Sequence, residues 1–237
     1  MSKSRVMSPL HRMVMLEDLQ VARRHLSQCF PPEQNIYQWS LAVYHEAVTR
    51  RLLGLTQAGL EGNEIVSLLQ WILHVYHGED LLGSDQLEIQ RDLPSILSED
   101  EMDGLVQSYL SNMKCNYHTW MVNTIKQEQE DWQAEIDPEL DMDGCYYTST
   151  PVLLNRMVED NILVSSTISD TLIEKTFSIS IEQLLVFGQM YRQTSQEFRE
   201  GRQAIKRDVT TANNCGKLLA LTQVGEVTWR ANVTLVL

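Results

Sequence analysis

The sequence predicts an all-α fold, an elongated stack of antiparallel amphipathic helices. Apolar residues mostly recur three or four positions apart, which is the spacing of one helix face. Leu, Met, Gln and Glu are frequent, and only 11 Gly and 6 Pro interrupt the 237 residues, a composition that favours helix. Because one helix cannot bury its apolar stripe alone, the helices are expected to pack in antiparallel pairs.

Three helices are predicted in the first third of the chain. The first covers about residues 9–29 and ends before the Pro31-Pro32 break, since proline interrupts a helix. The second covers about 33–57. The third is expected to begin at Asn63, a residue type that caps helix N-termini, and to place Ile72 in its buried stripe.

A loop is predicted at 78–94, followed by a long helix. Ser98 and Glu101 have the spacing of a capping box, in which each side chain bonds the other residue's backbone amide. This predicts a helix start at Ser98. The Asp137-Pro138 pair is expected to stop the helical run, because the residue before proline avoids helical backbone.

The last helices are predicted from a second start signal and a further periodic run. Thr150 would supply a capping hydroxyl, with Pro151 at the first helical position, and a further helix would run from about 178 to 199. Residues 216–237 contain an alternation of apolar and polar side chains at 227–235, with no second strand nearby to pair with. They are expected to form a poorly ordered tail.

The charge is strongly acidic and uneven. The net charge is −13, and residues 79–143 carry 17 acidic against three basic residues. This middle stretch argues against binding nucleic acid or an anionic membrane. A solvated surface is its ordinary interpretation. As a contact surface for a partner it would use Glu99, Asp100 and Glu101.

A basic stripe at Arg199, Arg202 and Lys206 is a second candidate contact for an acidic partner or for lipid headgroups. Its residues are three and four positions apart and would share one helix face. Acidic residues are interleaved at Glu197 and Glu200, and this mixture is typical of a solvated face.

Metal chemistry has two weak candidates. Glu139, Asp141, Asp143 and Gly144 resemble the start of a calcium loop, but the twelfth position is Thr150 rather than the required Glu. A polar interhelix loop is therefore the preferred interpretation.

The second candidate combines the His74–His77 and Cys115–His118 pairs, which would together match a zinc tetrad. Nothing in the sequence brings these pairs together. The glycine-rich, nucleophile and metalloprotease motifs are absent from the sequence, so we expect no cofactor and no catalysis. A metal-dependent enzyme on a helical bundle is the alternative.

Two long motifs carry a resemblance to a known family. LEGNEIVSLLQWILHVY at 60–76 and DWQAEIDPELDMDGCYYTSTP at 131–151, with a short match at Asn213-Asn214-Cys215, resemble the exocyst complex component 3 family and its component 3-like paralogues. The resemblance divides the chain into an N-terminal helix and linker at 1–32, a family-like bundle at 33–215 and a non-family tail at 216–237.

The resemblance implies a fold and a function. The fold is a rod of stacked helical bundles, and the function is the tethering of secretory vesicles to the plasma membrane during exocytosis. The implied partners are other exocyst subunits and SNARE proteins, and the implied location is the cytoplasm, with recruitment to vesicles or to exocytic sites. The sequence has no predicted signal peptide or membrane span, and it resembles a shortened form of the family.

Overall fold

The computed structural model describes residues 9–89, 93–134, 136–140, 142, 144–199, 209–217 and 219–220. The chain divides into two compact units, Met1–Asn112 (unit 1) and Met113–Leu237 (unit 2). The all-helical prediction is confirmed: the described residues are overwhelmingly helical, apart from one short hairpin.

Unit 1 contains three helices and the start of a fourth. They are α1 (Pro9–Arg24), α2 (Ile36–Gln57), α3 (Gly62–Gln70) and the beginning of α4 (Glu99–Gln133), and 3₁₀ turns at Leu26–Cys29 and Pro32–Gln34 connect α1 to α2. The first predicted helix thus ends as α-helix at Arg24. α1 packs on α2, and the Tyr44 hydroxyl donates to Asp18 between them.

The start of α3 differs from its prediction. The helix begins one residue after Glu61, not at Asn63. The Glu61 amide donates to Glu64 Oε2 at 3.1 Å. The Asn63 side chain still accepts the Glu64 amide at 2.9 Å, but it does so from inside the first turn.

The end of α3 passes without a break into a π-helical turn, Trp71–Tyr76. Its wider winding leaves Gly78 against the carbonyl of His74. A Cβ at Gly78 would lie 2.1 Å from that oxygen, so only glycine fits without a backbone shift. The predicted loop follows.

Large apolar side chains from all parts of unit 1 form its core. Ile72 is buried, as expected. The core's fully buried members among the described residues include Leu19, Leu41, Leu52, Ile65, Leu68, Leu69, Tyr76, Leu81, Leu87, Ile96 and Leu97.

The capping box at the start of α4 is confirmed. The Ser98 amide donates to Glu101 Oε2 at 2.8 Å, and the Glu101 amide donates to Ser98 Oγ at 3.3 Å. The 35-residue helix buries one narrow seam and leaves most other positions exposed. Trp120 follows Met113 and Tyr117 at helical spacing, which would place it in that seam, but its side chain is exposed.

Unit 2 continues with a hairpin and further helices. The hairpin strands are β1 (Glu139–Leu140) and β2 (Tyr146–Tyr147), and the helices are α5 (Thr150–Ser166), α6 (Asp170–Arg199) and a helical segment at 209–217. Glu139 pairs with Tyr147 and Leu140 with Tyr146, antiparallel.

The boundaries of α5 and α6 correct two predictions. Thr150 provides no cap, because its hydroxyl donates to Glu128 instead. The last long helix begins at Asp170 rather than near 178. Ser169 directly precedes it, and its Oγ accepts the amide of Leu172, in the first turn, at 3.3 Å.

The core of unit 2 joins α4, α5 and α6. The Tyr117 hydroxyl lies 2.7 Å from Ser180 Oγ, and Ser165 Oγ lies 2.7 Å from Thr176 Oγ1. The sequence predicts a poorly ordered tail at 216–237. Of these residues, the structure describes 216, 217, 219 and 220, which are helical, and the others lie outside the described residues.

Candidate functional site

The acidic residues predicted to contact a partner lie in the first turn of α4. Glu99 and Asp100 are exposed, whereas the Glu101 carboxylate accepts from both the amide and the hydroxyl of Ser98. Negative charge at this position is stabilised by the unpaired amides of a helix N-terminus. Glu101 thus has a structural role, while Glu99 and Asp100 can reach a partner.

The basic candidates fall outside the described side chains. α6 ends at Arg199, and Arg202 and Lys206 lie in the interval 200–208, which is not described. The basic stripe remains a prediction.

The two halves of the proposed zinc tetrad belong to different units. His74 and His77 are in unit 1, and Cys115 and His118 are in unit 2. Over the described residues, no group of three or more His, Cys, Asp or Glu side chains is arranged to hold a metal ion. The calcium-like sequence contributes Glu139 to β1, while Asp141 and Asp143 are not described.

A buried carboxylate in α4 is the main polar site that the motif search missed. Glu128 is buried, and its Oε1 accepts hydrogen bonds from the hydroxyls of Thr148 and Thr150. The Tyr191 hydroxyl donates to Oε2 over a longer 3.4 Å. Among the described residues, hydroxyl groups rather than a basic side chain hold this carboxylate.

Asn214 extends the same network into the 209–217 segment. Its Nδ2 donates to Thr148 Oγ1 at 2.8 Å and to the Tyr191 hydroxyl at 3.1 Å. Its Oδ1 accepts the Thr148 amide at 3.2 Å. The neighbouring Asn213 donates to the Tyr146 carbonyl at 2.9 Å. The Glu128 network, defined as Glu128, Thr148, Thr150, Tyr191 and Asn214, thereby connects five parts of unit 2: α4, the segment before α5, α5, α6 and the 209–217 segment.

The chemistry of this network is structural. Tyr191 is fully buried, and burial, reinforced by the nearby Glu128 charge, raises the pKa of its phenol. The Glu128 carboxylate accepts from three hydroxyls, two on Oε1 and a more distant one on Oε2. These bonds fix the end of the α4–α5 connector, residues 134–149, to α4 and α6. One sequence signal could have indicated this buried carboxylate. Glu128 lies at helical spacing between the apolar residues Ile125 and Trp132, a position in the buried seam of α4.

Unit 1 has a smaller buried polar pair at the π-helical turn. His45 Nδ1 lies 2.7 Å from the Tyr76 hydroxyl, and both side chains are buried. Burial, with a further contribution from His77, lowers the pKa of His45. The neutral imidazole can accept the tyrosine proton in a hydrogen bond, which satisfies both groups.

Several large apolar side chains are exposed. In the α4–α5 connector, Ile136 is 57% exposed, Leu140 is 59% exposed and Met142 is fully exposed. Trp39 and Trp120 are exposed on helices. Exposed apolar groups of this size are typical of protein contact surfaces when they cluster.

The described helices include none that is long and apolar enough to cross a membrane.

These features define an all-helical protein with buried structural polar networks and exposed apolar surface. The family model for exocyst complex component Sec6 matches residues 3–224. The chain therefore belongs to the exocyst complex component Sec6 family.

Curated relatives agree with this assignment. Exocyst complex component 3 of Drosophila melanogaster is 32% identical over 222 residues, which are 90% of this chain and 30% of that protein. The exocyst complex component 3-like proteins of Danio rerio and Homo sapiens are each 28% identical, over 78% and 74% of this chain and 24% of each relative. The chain thus spans less than a third of the length of these relatives.

One solved structure is similar in fold. The crystal structure of M-Sec superposes with a TM-score of 0.66 at 19% sequence identity, covering 96% of this chain and 44% of that one.

Proposed function

We propose that the chain is a non-catalytic interaction subunit of the exocyst that acts in exocytosis by tethering secretory vesicles to the plasma membrane. The observation that carries this proposal is the family match over residues 3–224. The buried carboxylate of Glu128 supports it as well, since it accepts from threonine and tyrosine hydroxyls and so connects separate helices of unit 2. A scaffold that holds partner surfaces needs such internal connections and no substrate cleft.

The proposed partners are other exocyst subunits and, in addition, SNARE proteins. The proposed location is the cytoplasm, with recruitment to vesicles or to exocytic sites at the plasma membrane. The strongly acidic stretch 79–143 makes nucleic acid an unsuitable partner, because the phosphates would be repelled.

Co-assembly tests the exocyst part of the proposal. The purified chain should co-elute with a reconstituted exocyst that lacks its own component 3. Failure to bind any exocyst subunit would contradict the proposal. Binding to purified SNARE proteins is measured separately, so a negative result there removes the SNARE partner alone.

The acidic first turn of α4 provides a matched pair of variants. Exposed charge pairs are screened over about 8–10 Å at physiological salt. We therefore expect Glu99→Lys with Asp100→Lys to weaken exocyst binding at low salt while the chain still folds, with only a small loss of stability from positive charge at the helix N-terminus. Glu101→Lys should instead lower thermal stability, because it removes the capping bonds to Ser98. Unchanged binding of the double variant would exclude this turn as a contact surface.

A further inference from the structure

The α4–α5 connector presents apolar side chains at a position that the rest of unit 2 holds in place. Three of its residues, Ile136, Leu140 and Met142, lie within seven consecutive positions. Each of them is more than half exposed. We name this set the connector knob. Isolated exposed apolar residues are ordinary, but three within seven consecutive positions of one connector are characteristic of a contact surface.

The base of the connector is anchored on both sides of the knob. On the α4 side, the Ile136 amide donates to the Asp131 carbonyl at 3.1 Å. On the α5 side, β1 pairs with β2, and Asn213 Nδ2 donates to the Tyr146 carbonyl at 2.9 Å.

The ring of Tyr147 lies under the ammonium of Lys217, 4.2 Å from Nζ, which fixes the second strand to the 209–217 segment. The Glu128 network holds the next residue, Thr148. A connector held in this way needs little further ordering when it binds, and this reduces the entropic cost of association.

The charge around the knob defines the chemistry of its partner. Residues 127–155 contain eight acidic side chains and no Lys or Arg. Glu130 and Glu139 among them are exposed. A complementary surface would combine an apolar pocket with a rim of Lys and Arg, since opposite potentials favour encounter and suppress wrong partners. The same charge disfavours an anionic membrane.

We propose that the connector knob inserts into an apolar pocket with a basic rim on another exocyst subunit. This inference rests on the proposed function and adds the contact surface and the chemistry of the partner. Leu140 and Met142 supply the buried apolar contacts, and the surrounding carboxylates set the orientation and the rate of association. Lys217 and Tyr147 belong to the anchor, where the ammonium lies over the tyrosine ring.

The test uses the full chain and the reconstituted exocyst lacking component 3 as the probe. Binding is measured by biolayer interferometry for wild type, for Leu140→Ala with Met142→Ala, and for Leu163→Ala. Leu163 is a matched control, because it is 66% exposed on α5 in the same unit. Far-UV circular dichroism melts show whether each variant retains the fold.

We expect the double variant to bind about tenfold more weakly or worse, mainly through faster dissociation, because anchor side chains dominate interface energies. Leu163→Ala should bind as wild type does. A Glu139→Lys variant should associate about two- to threefold more slowly and show weaker salt dependence.

Other outcomes separate this inference from the proposed function. If wild type binds and the double variant binds equally well, the knob proposal is wrong and the proposed function stands. If wild type does not bind, both fail. If sedimentation shows a wild-type dimer that the double variant loses while exocyst binding is unchanged, the knob joins two copies of this chain and the proposal is overturned.

Discussion

Tyr76 in unit 1 and Tyr191 in unit 2 are both fully buried, and their hydroxyls are satisfied in different ways. In unit 1, Tyr76 bonds the neutral ring of His45 beside a π-helical turn. In unit 2, Tyr191 contacts the Glu128 carboxylate and the Asn214 amide. Unit 1 therefore depends on tight apolar packing around one neutral pair, whereas unit 2 depends on a network centred on a carboxylate. This contrast predicts that the units respond to different perturbations.

The largest effect is expected from Gly78→Ala in unit 1. The added Cβ would meet the His74 carbonyl at 2.1 Å, and a backbone oxygen cannot move away without unwinding the turn. We expect a loss of about 3 kcal/mol or more in unfolding free energy, beyond ordinary overpacking, measured by urea denaturation.

Gly54 provides the control for Gly78. A Cβ at Gly54, within α2, meets nothing within 4 Å. Gly54→Ala should therefore stabilise the protein by about 0.5–1 kcal/mol through helix propensity. Equal effects at the two glycines would show that the π-helical turn is not the constraint proposed here.

A smaller effect is expected from Glu128→Ala in unit 2. The substitution leaves the Thr150 and Tyr191 hydroxyls without their acceptor, and each unsatisfied buried group costs about 1–3 kcal/mol. We expect a net loss of about 2–3 kcal/mol, since removing a buried charge offsets part of this cost. Hydrogen exchange should rise in residues 144–150 and 209–217.

Two further variants separate charge from hydrogen bonding at this position. Glu128→Gln keeps one acceptor oxygen and should cost less than Glu128→Ala. Glu130→Ala, an exposed neighbour on the same helix, should change stability by less than about 0.5 kcal/mol. If Glu130→Ala matches Glu128→Ala, the network does not stabilise unit 2.

The contrast also explains how far the sequence could predict the structure. The Ser98–Glu101 capping box was predictable because both partners lie within one turn. Glu128 bonds residues 20, 22 and 63 positions away, a separation that no local pattern encodes. The capping prediction for Thr150 fails for the same reason. A threonine hydroxyl can cap a helix or bond a distant carboxylate, and here it donates to Glu128, 22 positions away. The exposed connector knob likewise depends on the hairpin, which residue periodicity did not predict.

The smallest effect is expected from mild acid and should appear in unit 1. The pKa of His45 is lowered in the folded state. Below the ordinary histidine pKa of about 6.5, the unfolded chain therefore binds more protons than the folded protein does. Stability from the neutral ring is therefore fully present above that pH and is lost as the pH falls through the folded-state pKa. Protonation also removes the acceptor that the Tyr76 hydroxyl uses.

Hydrogen exchange measures this effect. When the pH is lowered from 7 to 5, exchange at residues 71–76 should accelerate relative to exchange at residues 187–191. A His45→Gln variant keeps an acceptor for Tyr76 without titrating, and it should lose this difference. If wild type and His45→Gln respond to acid identically, His45 does not couple protonation to the stability of unit 1.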